Sequence, residues 1–220
     1  MTNRGYQVPD VFLEKLLSKV GSEFEPERVP VCAEAYTTLL NCFPNVDEKV
    51  KRDGGQPHYG WLIHKTKLLY EAERHAVWED EDGELVDVTP FEPGVDEIQF
   101  VSDNTRGYAG KPVDNIRVNR TKNPLVDDFI LLAETESRAL AYSSQLNGNE
   151  HTIPEPAFIV AHGYRKMKDE VLKFIRAGGQ SHSACFCGLP KTYKSCHGSQ
   201  LREDINLVMS KLQRLLGNPS

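Results

Sequence analysis

The sequence predicts an α+β fold: a small antiparallel sheet flanked by helices, then a compact thiol-rich segment and a closing helix. Three observations predict it. Apolar residues recur at helical spacing near the start and throughout the second half. Between 58 and 91 the pattern changes to aromatic and β-branched runs broken by turn residues. Three of the five cysteines crowd into one short loop ahead of the last amphipathic stretch. Residues 1–150 read as the α+β domain, 151–180 as a helical connector, and 181–220 as the thiol-rich segment with its helix.

Bulk composition narrows the function classes. The chain has 220 residues, 39% hydrophobic and 26% charged, enough for one ordinary domain and an appendage. Its net charge of -6 leaves no global basic field to hold nucleic acid or an anionic membrane. No apolar run approaches the roughly 20 residues needed to cross a bilayer. The first residues lack the apolar segment of a secretory signal, and clustered cysteines argue against a disulfide framework. The expectation is a cytoplasmic protein.

Each element has its own signal. "VPDVFLEKLLSKVG" predicts a helix over 10–21, with Asp10 at its start and Gly21 as its stop. "EFEPERVP" reads as a connector and "VCAEAYTTLLN" as a second helix, placing Cys32 in the core. "CFPNVDEKVKRDGG" predicts a separate helix that Pro44 opens and Gly54-Gly55 end, so Cys42 stands at a helix N-terminus. "HYGWLIH", "LLYEAERHAVWE" and "ELVDVTPF" predict strands, with the hairpin turn "EDEDG" between the last two. "DEIQFVSD" adds a further strand, and 102–121 reads as a long irregular loop with some extended structure. Helical patterns return at "NPLVDDFILLAETESRALAYSSQL", at "AFIVAHGYRKMKDEVLKFIRAGG" and at "SQLREDINLVMSKLQRLLG". The last has an apolar stripe of Leu201, Ile205, Val208, Met209, Leu212 and Leu215, expected to pack back on its own domain.

The loop "CFCGLPKTYKSCHG" carries the strongest motif. Cys185, Cys187, Cys196 and His197 supply four soft or borderline ligands as two close pairs around a turn, the arrangement that tetrahedral structural zinc requires. Three exposed thiols without metal would be an oxidation liability. The stretch resembles the SEC-C motif, the zinc-binding tail of the SecA preprotein translocase motor. The match lies in Cys185, Cys187, Gly188, Lys191, Tyr193, Lys194, Cys196 and His197. Leu189 and Pro190 replace the usual Ser-Gly. The resemblance implies a structural zinc and a docking role toward a protein partner, a chaperone or the ribosome in the translocase case. It places Lys191, Tyr193 and Lys194 on the docking surface.

Upstream, a cysteine at a helix N-terminus precedes a strand histidine, His75, and an aspartate on the next strand, Asp87. That order resembles papain-like thiol hydrolases in arrangement, without their local nucleophile signature. A free thiol titrates near 8.5, and such sites combine a helix N-terminus with an imidazolium to favour the thiolate. On the strand, Glu71, Glu73, His75 and Val77 share one face, and one allowed register sets His75 opposite Asp87. Gln56 and Trp61 are the expected oxyanion donor and site wall. A competing reading gathers His58, His64, Glu73 and His75 around a metal ion. Another makes Cys42 an ordinary structural thiol. Asp114 and Asn115 could bind substrate or replace Asp87, and Arg106, Lys111, Arg117, Arg120 and Lys122 form the most basic stretch.

The sequence therefore predicts a papain-like cysteine hydrolase acting on a peptide, amide or isopeptide bond. Cys42 is the nucleophile, His75 the proton carrier and Asp87 its orienting group. A zinc module docks this enzyme on a protein partner. The alternative is a non-enzymatic zinc-binding adaptor acting in translation, secretion or protein quality control.

Overall fold

The longest strands arise where aromatic and β-branched residues crowd the sequence, since such side chains fit a pleated, half-buried surface. The computed structural model describes residues 10–105, 107–108, 113–147 and 150–219. In chain order the main strands are β1 (Glu27–Pro30), β2 (Gln56–Lys65), β3 (Leu69–Glu79), β4 (Leu85–Val86), β5 (Glu97–Ser102) and β6 (Ile116–Asn119). They form one antiparallel sheet in the order β1-β5-β2-β3-β4, with β6 also paired to β3. β2 and β3 pair along their whole length, so His75 sits opposite Gly60, which itself faces Ser102 of β5.

Among the described residues five helices complete the α+β architecture: α1 (Val11–Val20), α2 (Cys42–Asp53), α3 (Leu125–Leu140), α4 (Glu155–Arg176) and α5 (Leu201–Leu216). The chain divides into two compact units, Met1–Val118 and Asn119–Ser220. In the first, Leu16 of α1 is fully buried against Trp61, Ile63, Tyr70 and Ala72. Asp10 caps α1 through the backbone N–H groups of Phe12 and Leu13, and also accepts the Tyr70 hydroxyl at 2.7 Å. Val46 of α2 is buried against Ala76 and Val88. A third apolar cluster joins Val29, Leu62, Val77, Ile98 and Phe100.

Two upstream expectations are corrected. The connector before residue 30 contains β1, because Val29 finds a buried place beside Ile98 and Phe100 on pairing with β5. No helix forms over 31–41. Val31 bridges Asp87 instead, and the Cys32 N–H donates to the Asp87 carbonyl at 2.8 Å. Buried Asn45 takes both backbone groups of Thr38 with its carboxamide, and Leu40 adopts φ 59°. These tertiary bonds satisfy backbone groups that a helix would otherwise use, so helical propensity is overridden. Cys32 consequently lies exposed rather than in the core.

In the second unit α3 packs against α4, and α5 contacts both. α3 thus belongs with the downstream helices. A two-stranded sheet, β7 (Ser144–Asn147) with β8 (Glu150–Thr152), begins within the stretch expected to be helical to residue 146, because α3 ends at Leu140. Leu201, Ile205, Met209 and Leu212 are buried, so the α5 stripe does pack inward, although Leu215 remains 67% exposed. Among the described residues no helix is long and apolar enough to cross a membrane.

Candidate active site and metal centre

Asn41 precedes α2 without capping it through its side chain, and Cys42 is the first helical residue. The first helical backbone bond beyond it runs from Asn45 N–H to the Asn41 carbonyl. The N–H groups of Cys42 and Phe43 therefore precede the helical ladder, and Pro44 has none. His75 comes from β3 and is only 4% exposed. Its Nε2 lies 2.7 Å from Asp87 Oδ2, and the Cys42 sulfur is near enough to raise the proton affinity of the same ring. With Nε2 on Asp87, Nδ1 is the ring nitrogen left for sulfur.

Asp87 is fully buried and held on every side. Its second carboxylate oxygen accepts the Thr89 N–H at 2.8 Å, its own N–H donates to the Pro30 carbonyl, and its carbonyl accepts from Cys32. The residue sits just past the short β3–β4 ladder, whose pairs are Trp78 with Val86 and Glu79 with Leu85. Continuing that register would place Val77 opposite Asp87, so His75 and Asp87 meet diagonally rather than directly. Burial alone disfavours the imidazolium of His75. The bonds to Asp87 and Cys42 outweigh it and raise the group to about 10.

The structure disperses the other sequence candidates. Gln56 donates to Glu79 at the far end of the β2–β3 pair, away from His75. Trp61 is buried in the α1 cluster with its indole N–H on Asp103. His58 bonds Glu79 and Ser102, His64 bonds Glu73, and His75 bonds Asp87, so the four proposed ligands do not converge. Asn115 donates to Glu71, and Asp114 pairs with Arg117, which also holds Glu71. The proposed basic stretch is therefore partly internal at Arg117. Arg106 and Lys111 lie outside the described residues.

Sequence reasoning missed several neighbours of the site. Thr89 accepts a hydrogen bond from Asn45 and so links the Asp87 turn to α2. Phe43, next to Cys42, stacks on Tyr108 with ring centroids 3.8 Å apart and planes 5° apart. The Tyr108 backbone in turn bonds the Tyr59 side chain. An aromatic residue beside Cys42 was visible in the sequence. Its loop partner, 65 positions away, had no local signal.

The thiol-rich loop folds into one tight unit. Gly188 adopts φ 80°, the left-handed conformation that glycine tolerates without strain, and its N–H returns to the Cys185 carbonyl. The Cys185 N–H bonds the Lys191 carbonyl, and a 3-10 turn at Tyr193–Ser195 brings up the second ligand pair. The ligand atoms of Cys185, Cys187, Cys196 and His197 all lie within 4.8 Å of one another and could hold a metal ion. Cys185 Sγ is 3.2 Å from His197 Nδ1, and Cys187 and Cys196 sulfurs are 3.6 Å apart. This is the sole such group of Cys, His and carboxylates among the described residues.

Tyr193 departs from its expected surface role. It is 2% exposed, packs near Phe174 and Phe186, and donates its hydroxyl to Asp128 of α3. Buried Tyr193 and Cys185 thus tie the candidate metal loop to the second unit's interior, while Cys187, Lys191 and Lys194 remain exposed. No family model matches the chain, and no curated protein and no solved structure matches it.

Proposed function

We propose that the protein is a cysteine hydrolase that cleaves amide or isopeptide bonds by acyl transfer through Cys42. The observation that carries this reading is the buried His75, bonded to Asp87 and raised further by a nearby helix-start thiol. A histidine kept only for packing needs no such pair of anionic-capable partners. In the proposed reaction His75, raised to about 10, already holds the proton at neutral pH, and Cys42 attacks the carbonyl carbon as the thiolate. The oxyanion is received by N–H groups at the start of α2, where the helix dipole favours negative charge. His75 returns the proton to the departing amine, leaving a thioester on Cys42. Water, deprotonated by His75, then releases the acid, and Asp87 orients the imidazole throughout.

The four-ligand cluster supports a structural zinc site. Zinc bonds of about 2.3 Å to sulfur and 2.0 Å to nitrogen give tetrahedral edges of roughly 3.5–3.8 Å, close to the spacings found. Four protein ligands leave no open position for catalysis. The likeness of residues 185–198 to the SEC-C motif supports docking on a protein partner, through the exposed Leu189, Lys191 and Lys194.

Alkylation tests the reading. Cys32 is exposed and Cys42 only partly so, which by access alone makes Cys32 the faster thiol. An activated Cys42 reverses that order with iodoacetamide at neutral pH, as mass spectrometry of the two peptides would show. Cys32 reacting faster, together with no amide turnover sensitive to Cys42→Ala, would leave the zinc-binding adaptor as the better account.

A further inference from the structure

Cys42 has an aromatic wall that the proposed chemistry does not itself need. Phe43 follows the nucleophile directly, and its ring is covered by Tyr108 in a nearly parallel stack, 3.8 Å between centroids and 5° between planes. Tyr108 is positioned at two points. Its ring lies on Phe43, and its backbone N–H bonds the Tyr59 hydroxyl, while Tyr59 itself leans on Phe43 with centroids 6.2 Å apart. Gly107 lies against the Tyr59 ring, 3.9 Å from where a Cβ would stand. Despite these ties Tyr108 stays 41% exposed, so a preorganised ring presents open surface over Phe43, the residue next to Cys42. Burial, and after it the charge of Cys42, push the Tyr108 hydroxyl up, so the two groups lie within electrostatic range of one another.

From this geometry we infer that the Tyr59-anchored Phe43–Tyr108 stack is the specificity wall of the Cys42 site. Its occupant is a flat apolar group, aromatic or similarly planar, adjoining the scissile carbonyl of the substrate. The occupant follows from the chemistry of the surface. Three aromatic rings supply it, and the face of a ring recognises another flat group by offset stacking. A wall held by a backbone bond and a stack loses little freedom when a ligand meets it, which favours binding. The inference rests on Cys42 being the reactive nucleophile.

Paired alkylating probes test it on the full chain. Iodoacetamide and its N-phenyl analogue deliver the same reaction: a carbon–sulfur bond forms at Cys42 and iodide leaves. Rates for each are divided by the rate with free N-acetylcysteine. In the wild type the N-phenyl probe should be favoured at Cys42 by about tenfold, the size expected for one aromatic contact. Tyr108→Ala should collapse that ratio toward one, and Tyr108→Phe should retain it. The ratio at exposed Cys32 should stay near one in all three proteins. A Cys42 that reacts faster than Cys32 but shows no N-phenyl preference, or keeps its preference in Tyr108→Ala, overturns the specificity wall and leaves the hydrolase reading standing. A Cys42 slower than Cys32 with both probes overturns the two together.

Discussion

His75 and Asp87 meet at 2.7 Å although they are not opposite one another in the β3–β4 pairing. The contact exists because the chain leaves the ladder at Asp87. There it turns its backbone to Pro30 and Cys32 and fixes its carboxylate through the Thr89 N–H. The segment 30–32 therefore sets the position of the Asp87 carboxylate, and α2 sets the position of the Cys42 thiol.

Replacing Asp87 with Asn separates charge from shape. The amide keeps an acceptor for Thr89 but no longer stabilises the imidazolium, so the raised value of His75 should fall by more than one pH unit by NMR. Turnover should drop on the order of 10²–10⁴-fold, as when an orienting carboxylate is removed from a nucleophile–histidine pair. Asp87→Ala should also destabilise the protein by about 3–5 kcal/mol, because it leaves a buried charge uncompensated. An Asn variant with an unchanged His75 titration would show that Asp87 does not control the ring.

Stability should depend on His75 in a defined pH window. Its value is raised from 6.5 to about 10 in the folded state, so the fold binds an extra proton between those limits. Its contribution is complete below about pH 6.5 and is lost as pH rises toward 10. The slope is at most about 1.4 kcal/mol per pH unit for one proton. Urea unfolding of wild type and His75→Gln across this range measures it. Parallel curves for the two proteins would remove His75 as the source.

Metal loss should act on the second unit. Cys187→Ser removes one of four ligands, and structural zinc sites contribute on the order of 10 kcal/mol to local folding. The variant should purify with less than one zinc per chain and lose near-UV signal from the Phe174, Phe186 and Tyr193 cluster. Hydrogen exchange in β2 and β3 should change little. Stoichiometric zinc retained in this variant would place the metal elsewhere.

Tyr193 and Lys194 are neighbours with opposite expected behaviour. Tyr193→Phe deletes the hydroxyl that bonds Asp128 and should cost about 1–3 kcal/mol. Lys194→Glu changes an exposed charge and should alter stability by no more than about 0.5 kcal/mol while keeping the metal. Thermal melts with metal analysis distinguish them. A large loss in Lys194→Glu would mean that this side chain supports the loop.

The amino-acid sequence alone determined the α+β class, the helix-start setting of Cys42, the β2–β3 strands and the four-ligand loop. Each rests on short-range physics: residue periodicity, Pro44 and Gly54 marking helix ends, and ligands within 13 positions. The tertiary structure decided what local signals could not carry. A helix over 31–41 gave way to bonds with Asp87 and Asn45 that lie over 40 and under 10 residues away, respectively. Trp61 went to the α1 cluster because strand alternation fixes its face only once the pairing partners are known. Tyr193 turned inward because α3 offers Asp128 and α4 offers Phe174. The fate of a half-buried aromatic or a loop backbone depends on which distant groups arrive beside it. Periodicity reports which residues want burial, and only the assembled fold supplies the partners that grant it.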